Sequence, residues 1–131
     1  SDEGWGMTTD GQSLIMSDGT HQLLYLDPAT LKVIKTVSVS EQNRPVNMLN
    51  ELEFIKGFIY ANVYTTNEIV KINPADGQVV GRLELSSLAN EAKSLYRGSM
   101  EMNGIAFNPS AGSIYITGKM WPRVYEIVFP H

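Results

Sequence analysis

Short runs of alternating apolar and polar residues, separated by Asp-Gly and Asx-Pro turns, fill most of this chain and predict strands. In the first stretch the strands fall at 5–9, 12–17, 21–27 and 31–39. Asp10-Gly11 and Asp18-Gly19 supply tight turns, since glycine takes positive φ without steric cost. Asp27-Pro28-Ala29-Thr30 turns the third strand into the fourth, with proline pre-setting φ at the second turn position. Residues 32–39 carry β-branched side chains with only partial alternation, the pattern of an outer, half-exposed strand.

The same order of elements recurs. Trp5 precedes Gly-Met-Thr-Thr-Asp-Gly, Asn50 precedes Glu-Leu-Glu-Phe-Ile-Lys-Gly, and Asn103 precedes Gly-Ile-Ala-Phe-Asn-Pro-Ser-Ala-Gly. Each time a β-rich segment follows, at 13–16, 58–61 and 113–116. Leu26-Asp27-Pro28 returns 46 residues later as Ile72-Asn73-Pro74. Gly57 returns 55 residues later as Gly112, with the excess falling in 86–102. The second unit has strands at 50–55, 57–64, 67–73 and 78–85, with Asp76-Gly77 in the corresponding turn. The third offers 103–107, 112–117 and 122–128.

Spacings of this size with four short strands per unit fit the blades of a β-propeller. A β-sandwich is the competing all-β arrangement, but it does not require the same strand order, turn and boundary to recur. The expectation is therefore an all-β partial propeller of about three four-stranded blades, one segment spanning 1–131. Its parts are a blade at 1–39, a blade at 50–85, a helical insertion at 86–98 and an incomplete blade at 103–130. Radial closure is what protects the sheet edges, so eleven strands read as part of a ring. The remaining blades are expected from another chain segment or from self-association.

The insertion departs from the β pattern. Leu88, Ala92, Leu95 and Tyr96 recur at helical spacing, a serine stands where it can cap the start, and Gly98 where it can stop the helix. Such a helix either packs down a connection or walls the axial mouth of the ring.

Composition narrows the chemistry. With 43% hydrophobic residues the chain can furnish a core, and a net charge of −4 without a Lys/Arg cluster argues against nucleic acid. No apolar run approaches the ~20 residues needed to cross a bilayer. Cysteine is absent, and the two histidines, His21 and His131, stand near no second ligand type, so no metal-binding residues are assigned. There is no P-loop, dinucleotide-binding glycine motif or Gly-x-Ser-x-Gly elbow. Glu51 and Glu53 flank one leucine and share a strand face, as an acid/base pair, local hydrogen-bond acceptors or a cation site would.

The strand ends say more. Registration of Gly57 on Gly112 puts Tyr64 and Lys119 at one position, while Trp5, Asn50 and Asn103 share the start of the first strand. In an antiparallel pair these positions are neighbours, so all five are expected at one axial mouth. Aromatic surface, amides and one cation there suit a small polar molecule.

Glu3-Gly4-Trp5-Gly6-Met7, the stretches 45–53 and 61–64, Met102-Asn103-Gly104-Ile105-Ala106 and Thr117-Gly118-Lys119-Met120-Trp121-Pro122 together resemble the plant and bacterial β-propeller type of glutaminyl cyclase. The resemblance covers nearly the whole chain. It implies a five-bladed propeller, of which this chain is the last three blades, that converts N-terminal glutaminyl residues of peptides to pyroglutamyl with release of ammonia. Carried over by motif, Asn50 and Lys119 become the catalytic candidates, and Trp5, Tyr64, Asn103 and Trp121 the substrate-binding ones. Tyr64 stands where the family usually has tryptophan, which keeps an aromatic wall and adds a hydroxyl. The family's proton-transfer glutamate lies in an earlier blade, and Glu3 does not correspond to it.

The resemblance also implies a peptide partner with N-terminal glutamine, no required cofactor, compatibility with a structural divalent cation on the axis, and an extracytoplasmic setting, periplasmic or secreted. No signal peptide is visible in this chain. Two other functions suit a propeller: a non-catalytic module binding peptides or partner proteins, and an extracellular scaffold using only its surface.

Overall fold

The computed structural model describes residues 5–110 and 112–127. Glu3 and Gly4 of the first motif, and the final residue of the strand expected at 122–128, lie outside the described residues. Strands β1 (Gly6–Thr9), β2 (Leu14–Ser17), β3 (Gln22–Leu26) and β4 (Val33–Ser38) form one antiparallel sheet in chain order. A two-stranded hairpin comes next, β5 (Ser40–Glu41) and β6 (Arg44–Pro45). The second sheet holds β7 (Leu49–Ile55), β8 (Phe58–Val63), β9 (Glu68–Ile72) and β10 (Val79–Glu84). After helix α1 (Ser86–Leu95) comes a three-stranded sheet of β11 (Met102–Asn108), β12 (Ser113–Gly118) and β13 (Tyr125–Ile127).

Turn chemistry sets these boundaries. Asp10, Asp27, Asn73 and Asn108 each accept a backbone N–H two residues on, at 2.8, 2.8, 2.9 and 3.0 Å. These Asx turns reverse the chain where the sequence placed the turns.

Strand alternation then sends side chains to two faces. Ile15, Leu23 and Tyr25 of the first sheet meet Leu52, Ile59, Val70 and Ile72 of the second in one buried cluster. Ile55, Tyr60 and Ile69 leave the opposite face of the second sheet to meet Met102, Ile105, Ile114 and Ile116 of the third. The second sheet is therefore apolar on both faces, whereas β4 is exposed along nearly its whole length. Strands β1, β7 and β11 pack against one another in succession, so the first strand of each of the three larger sheets faces a common line.

Two features differ from the sequence expectation. Thirteen strands are found among the described residues, because the link after β4 forms the β5–β6 hairpin. Ser40 bridges Gln78 in parallel, and Arg82 pairs with Glu41 at 2.8 Å and with Glu68, so the hairpin lies along β10 and covers that edge. Helix α1 ends at Leu95, short of 98. Its N-cap is Leu85 without a side-chain cap, and the Glu84 carboxylate instead takes the Ser86 N–H at 2.7 Å. Gly98 does not stop it; Tyr96, in extended conformation, does, and its ring packs over Gly98. The helix buries Ala92, seats Leu88 on the second cluster and brings Glu91 to 4.0 Å from Arg123 just before β13. That is the β13 side of the third sheet, away from the line of first strands.

Candidate functional site

The ends of the first and second strands carry the site. Trp5 donates its backbone N–H to the Ser17 carbonyl at 3.0 Å and lays its ring over Gly19, where a Cβ would stand 2.6 Å from the indole. Gly19 has φ +85, so glycine answers both the turn and the ring. Tyr64 donates its backbone N–H to the Met48 carbonyl at 2.7 Å, and Lys119 donates its own to the Glu101 carbonyl at 3.0 Å. Tyr64 and Lys119 thus hold equivalent positions, as the registration of Gly57 on Gly112 implies.

Side chains from all three sheets meet here. The Trp5 and Tyr64 rings stand edge to face at 5.2 Å between centroids, and the Tyr64 hydroxyl donates to Glu101 Oε1 at 3.1 Å. Glu101 is held below the ordinary glutamate range by its own backbone N–H, then by the Tyr64 hydroxyl and the Lys119 charge. Tyr64 is pushed up by its hydrogen bond to Glu101 and then by the negative charge of that carboxylate. Lys119 itself is exposed.

Asn50 and Asn103 sit in matching irregularities. The register of β7 on β8 shifts between Leu49 and Leu52, and that of β11 on β12 between Met102 and Ile105. Each shift adds one residue, a bulge that re-aims the side chains within it. Asn50 is buried, and its carbonyl accepts the Ser17 hydroxyl at 2.6 Å. Gly6 packs directly on that carbonyl, leaving no room for a side chain. Beside Asn103, the Gly104 N–H donates to Asn62 Oδ1 at 3.1 Å. Asn103 Oδ1 and Asn62 Nδ2 are buried with no hydrogen-bond partner among the described residues.

Trp121 is directed elsewhere. Its indole N–H donates to the Met100 carbonyl at 2.8 Å, its ring covers Gly118, and it meets Tyr125 edge to face at 5.9 Å. The structure therefore gathers Trp5, Tyr64 and Lys119 around Glu101, sets Asn50 beside β1, and turns Trp121 toward β13. Glu101 was not legible as a site residue from its neighbours in sequence. The signal that could have found it is register, because it is the residue opposite Lys119.

Two cavities adjoin this region. One of about 200 Å³ is lined by Trp5, Gly6, Met7 and Met16, on the face of the first sheet away from its core. Another of about 330 Å³ includes Glu51, Gly104, Tyr115 and Thr117. Burial pushes Glu51 up, and burial followed by the Glu51 charge pushes Glu53 up. No group of three or more His, Cys, Asp or Glu stands close enough to hold a metal among the described residues. No helix among the described residues is long and apolar enough to cross a membrane.

The profile of the family described as glutamine cyclotransferase matches residues 1–129. A glutaminyl-peptide cyclotransferase of Arabidopsis thaliana is 42% identical over 126 residues, 95% of this chain and 39% of that protein. The crystal structure of Myxococcus xanthus glutaminyl cyclase superposes with a TM-score of 0.91 at 37% identity, over 96% of this chain and 55% of that one. The WD40 β-propeller domain of Doa1 superposes at a TM-score of 0.53 and 12% identity, over 85% of this chain and 31% of that one. The last likeness is of fold alone, and the fold it shows is propeller-like. This chain spans 39% of the Arabidopsis protein and 55% of the Myxococcus one.

Proposed function

We propose, from a chain that belongs to the glutamine cyclotransferase family, that the complete protein is a glutaminyl-peptide cyclotransferase, an acyltransferase acting on peptides with N-terminal glutamine. The superposition on the Myxococcus cyclase over 96% of the chain carries this reading. The complete ring is five-bladed, and further blades cover the outer faces of the first and third sheets. An extracytoplasmic setting, periplasmic or secreted, goes with it.

The reaction forms a bond between the substrate's α-nitrogen and its own γ-carbonyl carbon and breaks the bond to the amide nitrogen. That nitrogen leaves as ammonia, with the proton given up by the attacking amine. Because the reaction is intramolecular, orientation supplies much of the acceleration. Trp5 and Tyr64 form a wall that bends the glutaminyl stem. Asn50 and Lys119 grip the amide and the developing oxyanion. Asn103, in the β11 bulge that matches the one holding Asn50, joins them in binding the substrate. Proton transfer falls to a glutamate in a blade outside this chain.

The test is ammonia release from a Gln-initiated peptide by the complete protein, with mass loss of the peptide measured in parallel. Absence of both under conditions where the protein is folded would overturn the reading in favour of a non-catalytic peptide-binding propeller.

A further inference from the structure

Tyr64 and Glu101 stand 37 residues apart in different sheets, yet a 3.1 Å hydrogen bond joins them. On its other side the Tyr64 ring meets Trp5 of the first sheet. A phenol ring turns about two side-chain torsions, so a contact at each end defines where it lies. Glu101 is itself held in place. Lys119 N–H donates to its carbonyl at 3.0 Å, and Met100 N–H donates to the Lys119 carbonyl at 2.8 Å. Trp121 then donates to the Met100 carbonyl at 2.8 Å, which ties down the residue preceding Glu101. The carboxylate is thus a fixed acceptor on the third sheet that receives a rotatable donor from the second.

Resting on the cyclase reading, we propose that Glu101 is a positioning residue: through the Tyr64 hydroxyl it fixes the aromatic wall that holds the substrate's glutaminyl side chain in its reactive bend. Trp121 serves the same end at one remove, by bracing the strand that carries Glu101. The role needs an acceptor at this place rather than a negative charge, so glutamine substitutes for it and alanine does not.

The experiment compares the complete protein with its Glu101→Ala, Glu101→Gln, Tyr64→Phe and Glu101→Ala/Tyr64→Phe variants, each carrying isotope-labelled tyrosine for NMR. Glu101→Ala should lower kcat/KM about tenfold, the size of one lost hydrogen bond. The loss should fall on kcat more than KM, because a misplaced wall still binds the stem but loses the reactive conformer. Glu101→Gln should restore most of it. In the Tyr64→Phe background, Glu101→Ala should cost less than about twofold, since the two residues act as one unit. The Tyr64 phenol, assigned by its loss in Tyr64→Phe, should titrate at lower pH in Glu101→Ala while the other tyrosines stay unmoved. An equal cost of Glu101→Ala in both backgrounds, or an unmoved Tyr64 resonance in an active enzyme, overturns this role alone. A folded wild-type protein that does not cyclise overturns the cyclase reading and this role with it.

Discussion

Gly6 touches the Asn50 carbonyl so closely that a methyl group cannot enter without moving backbone. Gly6→Ala should destabilise the protein by about 3 kcal/mol, read as a fall in Tm, because neither strand can yield alone. Ser17, the partner of Gly6 across β1–β2, donates its hydroxyl to the same carbonyl at 2.6 Å, and Ser17→Ala should cost about 1–3 kcal/mol by leaving a buried acceptor unpaired. Asn50→Ala and Lys119→Ala should lower turnover of a Gln-initiated peptide by about tenfold or more in the complete protein, with far UV circular dichroism unchanged. Glu51 titrates in the opposite sense to Glu101. Burial raises its folded pKa, so its native state holds a proton that the unfolded chain has lost, and its contribution to stability falls as pH rises through that window. Glu51→Gln should therefore stabilise the protein at neutral pH, read as a raised Tm, by less than about 1 kcal/mol once solvent screening of this half-buried group is counted, and flatten the dependence just above the ordinary glutamate range. Glu101, held low, contributes stability above the ordinary range that is lost as pH falls through its folded value. At this scale the sequence marked Trp5, Asn50, Asn103, Tyr64 and Lys119 because repeat position is a local property. It missed Glu101 because a bare glutamate between two methionines has no local signal, and its partner lies on another sheet.

The hairpin β5–β6 shows why elements of the repeat were legible and additions to it were not. Strands β7 to β9 announce themselves by apolar residues between glycine and Asx turns. The segment Ser40-Glu41-Gln42-Asn43-Arg44-Pro45 has neither apolar alternation nor glycine, and proline argues against a strand. It forms because Gln42 and Asn43 both adopt positive φ, 52° and 66°, the demand of a two-residue primed turn. Replacing Gln42-Asn43 by Asn-Gly should remove that strain and stabilise the protein by about 1 kcal/mol, measurable as a raised denaturant midpoint at unchanged slope. Helix α1 was readable from its spacing, but its termination was not. Glycine after a helix is usually a left-handed cap, yet here Gly98 is occupied with leaving space for the Tyr96 ring.

At the scale of the whole molecule, the second sheet is common to both cores. Leu52, 1% exposed, belongs to the cluster shared with the first sheet, and Ile69, 1% exposed, to that shared with the third. Either residue changed to alanine should cost about 2–5 kcal/mol. Met7 and Val124, 51% and 64% exposed, lie on outer sheets that the proposed blades would cover. This chain purified alone should therefore associate in light-scattering measurements and release ammonia very weakly from a Gln-initiated peptide. Repeat periodicity made the succession of antiparallel sheets legible, since each unit repeats one local grammar; how the units lean on one another is set by side chains meeting across sheets, which no single stretch of sequence records. The mouth inherits that property. Its wall takes Trp5, Tyr64 and Glu101 from three separate sheets, so its aperture is an angle between rigid plates rather than a property of any one plate. A bulkier side chain at Ile69, buried between the second and third sheets and paired with Asn62 near the Tyr64 end of β8, would act as a shim in a hinge, prising Tyr64 from Glu101.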